Sequence, residues 1–154
     1  MAPVLLFLLF TVLEGSLALF TIDSARFAAG EGARQVAEGG TDPNADNLAV
    51  EVIRTGPLSF TTLADISHID IYHLIQQSNG QLTVDSSEYN SYNLDGSTIS
   101  STWPPRSRSV RNGSSDFIGL TIFYRYNWIS GSLLASGPLV LSQSFYVRLE
   151  PQTY

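Results

Sequence analysis

The chain contains no cysteine and no lysine. The first absence removes disulfides, thiol chemistry and cysteine-ligated metals, so any extracellular part must hold together through its core and its partners. The second leaves Arg to supply all 8 basic residues against 14 acidic ones, for a formal net charge of −6. Nothing in that balance makes the basic stripe that follows a nucleic-acid backbone, so nucleic acid is not an expected partner. Charge of either sign is also nearly missing from one place. Between Pro3 and Ile22 the only ionisable side chain is Glu14.

That run, "PVLLFLLFTVLEGSLALFTI", has 20 residues and would extend about 30 Å as a helix, the thickness of a bilayer's hydrocarbon core. It is longer than the apolar stretch of a cleavable secretory signal, and no basic residue precedes it. The sequence therefore implies that a basic leader once preceded Met1 and was removed. Left wet, the run would forgo burial worth on the order of tens of kcal/mol, so it must sit in lipid or against copies of itself.

The helical pattern continues beyond it. "TIDSARFAAGEGARQVAEGG" is Ala-rich, pairs Asp23 with Arg26, Glu31 with Arg34 and Arg34 with Glu38 at helical spacing, and ends at Gly39-Gly40. Ile22, Phe27, Ala29, Ala33 and Val36 give it an apolar side. Gly15, Gly30 and Gly32 are expected to mark bends or close approach of another helix. A short second helix is predicted with Asp42 as N-cap and Pro43 at its first position, closed by Gly56-Pro57.

From there the period changes to two. "ISHIDIYHLI" places Ile66, His68, Asp70, Tyr72 and Leu74 on one face and Ile69, Ile71 and Ile75 on the other, and Asn79-Gly80 predicts a tight turn into "QLTVDSSEYNSYNL". Residues 95–116 read as loop, and "DFIGLTIFYRYNWI" and "PLVLSQSFYVRLEP" supply two more strands. The expected fold is α+β, with a long N-terminal helix over 1–39 and a β-rich head over 40–154. The second half of the helix is expected to cover a four-stranded antiparallel sheet, leaving residues 1–22 protruding and bare.

Chemistry is sparse. His68 and His73 lie five apart on one predicted strand and point to opposite faces, so no metal shared between them is expected. Ser, Asp and His occur without a nucleophile-elbow context, so no catalytic residue, cofactor or enzyme activity is assigned. Arg106, Arg108 and Arg111 read as a solvated loop, with docking onto Asp42, Asp46 or Asp85 as the alternative. Asn112-Gly113-Ser114 fits a glycosylation sequon that chance also explains. Tyr89, Tyr92, Trp103 and Trp128 are expected in the core or at subunit interfaces rather than as adhesive surface groups.

Two separated segments carry a family resemblance. Leu13-Glu14-Gly15, with Ala28-Ala29-Gly30-Glu31-Gly32-Ala33-Arg34, resembles the opening of TadE-like pilus-assembly proteins of tight-adherence systems, relatives of type IV pilins and pseudopilins. "DFIGLTIFYRY" followed by "VRLEP" is similar to that family's final strand pair. Gly30 stands where the family usually has Arg, and Leu5 occupies the place of the family's mature-chain Glu. The resemblance implies a structural subunit of an extracellular type IV pilus-like filament, built by bundling the N-terminal helices into a homopolymer. It also implies residence in the inner or cytoplasmic membrane before assembly, and a prepilin peptidase and assembly machinery as partners. A minor pseudopilin or single-pass membrane component of the apparatus is the alternative. Subunit packing and registry would fall to Phe7, Phe10, Glu14, Gly15, Phe20, Arg26, Glu31 and Arg34.

Glu14 is the most distinctive of these. A charge at mid-membrane costs roughly 2.5–3.5 kcal/mol, so the carboxylate is expected to meet a neighbour's α-amino group, a Thr11- or Ser16-type hydroxyl, or Arg26 as copies pack. A protonated, hydrogen-bonded acid that merely tolerates its place is the other reading.

Overall fold

No proline falls between Pro3 and Pro43, and the intervening residues form one helix. The computed structural model of the chain describes residues 2–130 and 137–150. In it, α1 (Ala2–Gly39) runs for 38 residues and ends where Gly40 takes a φ of 53°, its amide donating to the Val36 carbonyl at 2.9 Å. The second half of α1 buries a stripe of small side chains: Ala25, Ala28, Ala29, Ala33, Val36 and Ala37. Small residues there let neighbouring elements come close. A Cβ on Gly32 would lie 2.8 Å from Ile53 Cδ1, whereas one on Gly15 would meet nothing within 4 Å. Close approach within the chain is thus the role of Gly32, while Gly15 faces open space. Phe27, expected on the apolar side, is instead 58% exposed, because the buried stripe is narrow and follows the alanines.

Helix α2 (Ala45–Arg54) begins later than its sequence suggested. Asn44, not Asp42, is its N-cap, and the Asp42 carboxylate instead accepts the Asn44 amide at 2.7 Å, closing the turn before the helix. Gly56 ends this segment, and Pro57 opens the single-turn α3 (Pro57–Phe60).

The sheet has five antiparallel strands, β1 (Ala64–Gln76), β2 (Leu82–Tyr92), β3 (Thr98–Ser101), β4 (Phe117–Tyr126) and β5 (Leu139–Arg148), in the order β3-β2-β1-β4-β5. The four expected strands are present. The added one, β3, lies in the stretch read as loop: Gly96 at φ 86° closes a second hairpin, with Asn93 N donating to Ser97 O at 2.9 Å. At Asn79-Gly80 the chain turns as predicted, with Gly80 at φ 83°.

Ile69 and Ile71 of β1 and Ile118, Leu120, Ile122 and Tyr124 of β4 form the core with the α1 stripe, Ile53 and Leu58. The opposite face of the sheet carries a polar aromatic cluster. Tyr72 lies over Gly119, its partner on β4, and its hydroxyl meets Thr121 Oγ1 at 2.9 Å, which in turn meets Ser144 Oγ at 2.8 Å. A side chain at 119 would overlap the Tyr72 ring. Gly119→Ala is therefore expected to destabilise the head by about 2 kcal/mol in thermal melts, and by far less in a Tyr72→Ala background where the ring is gone.

Residues Val4–Phe10, Val12 and Leu13 of α1 expose their apolar side chains. The bare segment is nevertheless shorter than expected, because Glu14 and Thr21 are buried. The head reaches down α1 to residue 14: the chain leaving β4 runs on to meet it rather than turning back at the end of the sheet.

Candidate functional site

Glu14 is the point where the head grips the apolar helix. Both carboxylate oxygens are occupied. Oε1 accepts the Tyr126 hydroxyl at 2.8 Å and the Ile129 amide at 3.0 Å, and Oε2 accepts the Ser130 amide at 2.9 Å. The carboxylate is 3% exposed. Tyr126 is the last residue of β4, and Asn127 is fixed by donating its amide to Leu63 O at 2.8 Å, just ahead of the Ile129 and Ser130 amides that meet the helix. Trp128 packs edge-on against Tyr126, with ring centroids 5.3 Å apart. Three donors directed at one carboxylate make a charge-assisted clasp.

The clasp acts on its own phenol. Burial, then the Glu14 carboxylate, push the Tyr126 hydroxyl up to about 12 from its ordinary value near 10. A phenol raised on folding contributes stability in full below its unfolded pKa and loses it as pH rises through the folded one. Head stability is therefore expected to fall between about pH 10 and 12, and a Tyr126→Phe variant to fall less steeply, as followed by circular dichroism across that range.

The remaining residues named for subunit packing fall into separate groups. Phe7, Phe10 and Phe20 are exposed at 57%, 47% and 58% on the protruding side, near the open space around Gly15. Arg26, Glu31 and Arg34 lie further along α1, lining a groove of about 890 Å³ between that helix and edge strand β5, with Phe27 and Phe145 as its apolar floor. Arg34 pairs with Glu31 at 3.3 Å. Thr11 and Ser16 bond their own helix, to the carbonyls of Phe7 and Val12, and not Glu14.

The reading of the arginine loop as solvated is overturned for Arg108. Its guanidinium is buried against the Asp46 carboxylate, Nη1 to Oδ1 and Nη2 to Oδ2 both at 2.7 Å, and lies over the Trp103 ring at 4.6 Å from its centroid. Asp46 Oδ2 also accepts from Asn90 Nδ2 and the Tyr92 hydroxyl, each at 2.9 Å. Burial and the adjacent Asp46 raise the Tyr92 phenol well above its usual range. Desolvation explains why the pair forms here: with both groups sealed under Trp103, neither charge could be left alone. Arg106 and Arg111 remain exposed. Among the aromatics, Trp103 and Tyr92 are buried and Trp128 is half-buried, while Asn112 stands exposed in a turn.

His68 and His73 point to opposite faces. His68 stacks on Phe123 beside Asp70, and His73 faces Asp85, Glu88 and Asp116. The strand period placed the two histidines on opposite faces, as found, but weighed them only against each other and missed the carboxylates across the sheet from His73. Compared with protein-family models, curated proteins and solved structures, the chain matches none.

Proposed function

We propose that the protein is a pilin-like structural subunit: an apolar helix that anchors it in a membrane, and that packs among copies of itself when filaments form. One observation carries the reading. A single 38-residue helix is solvent-exposed and apolar at one end and built into the head's core at the other. α1 is long and apolar enough to cross a membrane, with a mean hydropathy of 2.2 in its most apolar window. No soluble domain keeps Val4–Phe10 bare without something to cover them. Bundled helices meet that need in a fibre and lipid meets it beforehand.

Removing residues 2–13 keeps Glu14 and the whole head, so that variant is expected to be a soluble folded monomer that forms no fibres. Fibres seen by negative-stain electron microscopy of the truncated protein would overturn the reading.

The clasp favours a second reading. Glu14 is satisfied by its own head and requires no neighbour, as suits a single-pass component of the assembly apparatus that stays in the membrane. Quantitative proteomics of sheared filaments separates the two, since a major subunit dominates that material and an apparatus component is nearly absent from it.

A further inference from the structure

We propose that His73, Asp85 and Glu88 form a site for one divalent transition-metal ion, zinc by the chemistry of the donors, that fastens β1 to β2. One imidazole nitrogen and one oxygen from each carboxylate lie within 4.8 Å of one another. His73 Nδ1 is 2.6 Å from Glu88 Oε2 and 3.8 Å from Asp85 Oδ2. Zinc bound by nitrogen and oxygen at about 2.0–2.2 Å sets tetrahedral ligands roughly 3.4 Å apart, so small rotations of the two acidic side chains bring all three to the metal.

The strand pairing is built around this meeting. Tyr72 pairs with Tyr89 and Leu74 with Val84, so the four residues 85–88 of β2 stand opposite the single residue His73. A bulge of that kind re-aims side chains, and here it turns both carboxylates toward one ring. Nδ1 is shielded from solvent, and its close contact with Glu88 Oε2 does not have the geometry of a hydrogen bond. A proton on that nitrogen can serve at most one of the two carboxylates at a time, whereas a shared cation is held by all three groups. Asp85 Oδ1 is held by the Ser87 amide at 2.9 Å and hydroxyl at 2.6 Å, which leaves Oδ2 directed at the imidazole.

The other side of the ring is supported as well. Asp116 Oδ1 lies 3.8 Å from His73 Nε2, and its second oxygen accepts the Ser109 amide at 2.7 Å. A small shift would bring this carboxylate within hydrogen-bond reach of the non-ligating nitrogen, the arrangement that orients a metal-bound histidine. Trp103 closes the inner side, its ring 5.2 Å from that of His73. Calcium and magnesium take oxygen donors, so an imidazole at the centre selects zinc or a neighbouring transition metal over either. For a head without cysteine, a metal cross-link would supply the staple that disulfides cannot.

Isothermal titration of zinc chloride into the full chain, held in non-ionic detergent at neutral pH, tests the site. One ion per chain should bind, with a rise in the head's melting temperature, and calcium should bind at least tenfold more weakly. His73→Asn and Glu88→Gln should each lower zinc affinity more than tenfold, and His68→Asn should leave it unchanged. Asp116→Asn should keep the stoichiometry of one while weakening affinity by about 10–100-fold, as expected of a group that orients a ligand. Nitrogen NMR of the unmutated protein gives a readout independent of variant folding: zinc should shift the His73 ring nitrogens and not those of His68. Absent binding, calcium binding as tight as zinc, affinity indifferent to His73→Asn, or an unmoved His73 resonance would each overturn the site. None of these outcomes bears on filament formation.

Discussion

Asp46→Ala should lower the melting temperature of the head by about 10 °C, the largest loss expected from any single substitution outside the apolar core. The substitution leaves the Arg108 guanidinium in a site where its side chain is 0% exposed, and strands the Asn90 and Tyr92 donors that Asp46 Oδ2 accepts. Removing one member of a buried pair costs about 3–5 kcal/mol, against a total stability of roughly 5–15 kcal/mol for a domain. The pair's net contribution is a different quantity, and a second variant isolates it. Asp46→Leu combined with Arg108→Met removes both charges and keeps apolar volume, so it should melt within a few degrees of the parent. A double variant as unstable as Asp46→Ala would instead mean that the hydrogen bonds to Asn90 and Tyr92 dominate. Circular dichroism melts of the detergent-held chain distinguish the cases. The local consequence is also specific: Asn90 holds Trp103 through bonds of 2.7 and 3.0 Å, so loosening Asp46 should loosen the Trp103 ring and quench or shift its fluorescence.

Which parts of this molecule could be read from its sequence follows the range of the interactions. The long helix, the Asn79-Gly80 turn, the two faces of β1 and the closing strands all rest on contacts between near neighbours, and periodicity records those. The Asp46–Arg108 pair joins residues 62 apart, and the Glu14–Tyr126 bond residues 112 apart, and no local pattern marks either. Composition misled in residues 95–116: Ser, Thr and Gly signalled loop, yet Thr98–Ser101 found an open edge on β2. The bulge at 85–88 was hidden because "VDSSEY" alternates acceptably as a plain strand, and only its pairing with β1 reveals the surplus residues opposite His73. Phe27 shows the converse error. A large apolar side chain was assigned to the core, where the close packing of α1 on the sheet left room for alanine.

Glu14→Ala should release the lower end of the head from the apolar helix. The substitution strands the Tyr126 hydroxyl and the Ile129 and Ser130 amides, three donors that now converge on one buried carboxylate. Hydrogen bonds to a charged acceptor contribute about 1.5–3 kcal/mol each, and water entering the opened site recovers part of that, so a net loss of roughly 3 kcal/mol is expected. Hydrogen exchange read by mass spectrometry should place the loss in peptides covering Tyr126 to Ser130, with exchange at β1 and β2 little changed. Glu14→Gln keeps the shape and one acceptor oxygen but turns an NH2 group toward a backbone amide, so it should fall between the parent and Glu14→Ala. If exchange at 126–130 is equal in all three proteins, the clasp does not hold the head. The same bonds limit how deep the helix can sit. Residues 3–13 extend about 17 Å beyond Glu14, roughly half the hydrocarbon thickness, so enclosing the full 20-residue run in lipid would drag the clasp and its amides with it. Opening the clasp frees that second half. In nanodiscs, a spin label at Leu19, which is 64% exposed, should therefore move from the interface toward the bilayer interior on Glu14→Ala, as measured by collision with oxygen against a water-soluble relaxant. An unmoved label would mean that the head rides on the helix at fixed depth whether or not the carboxylate holds it.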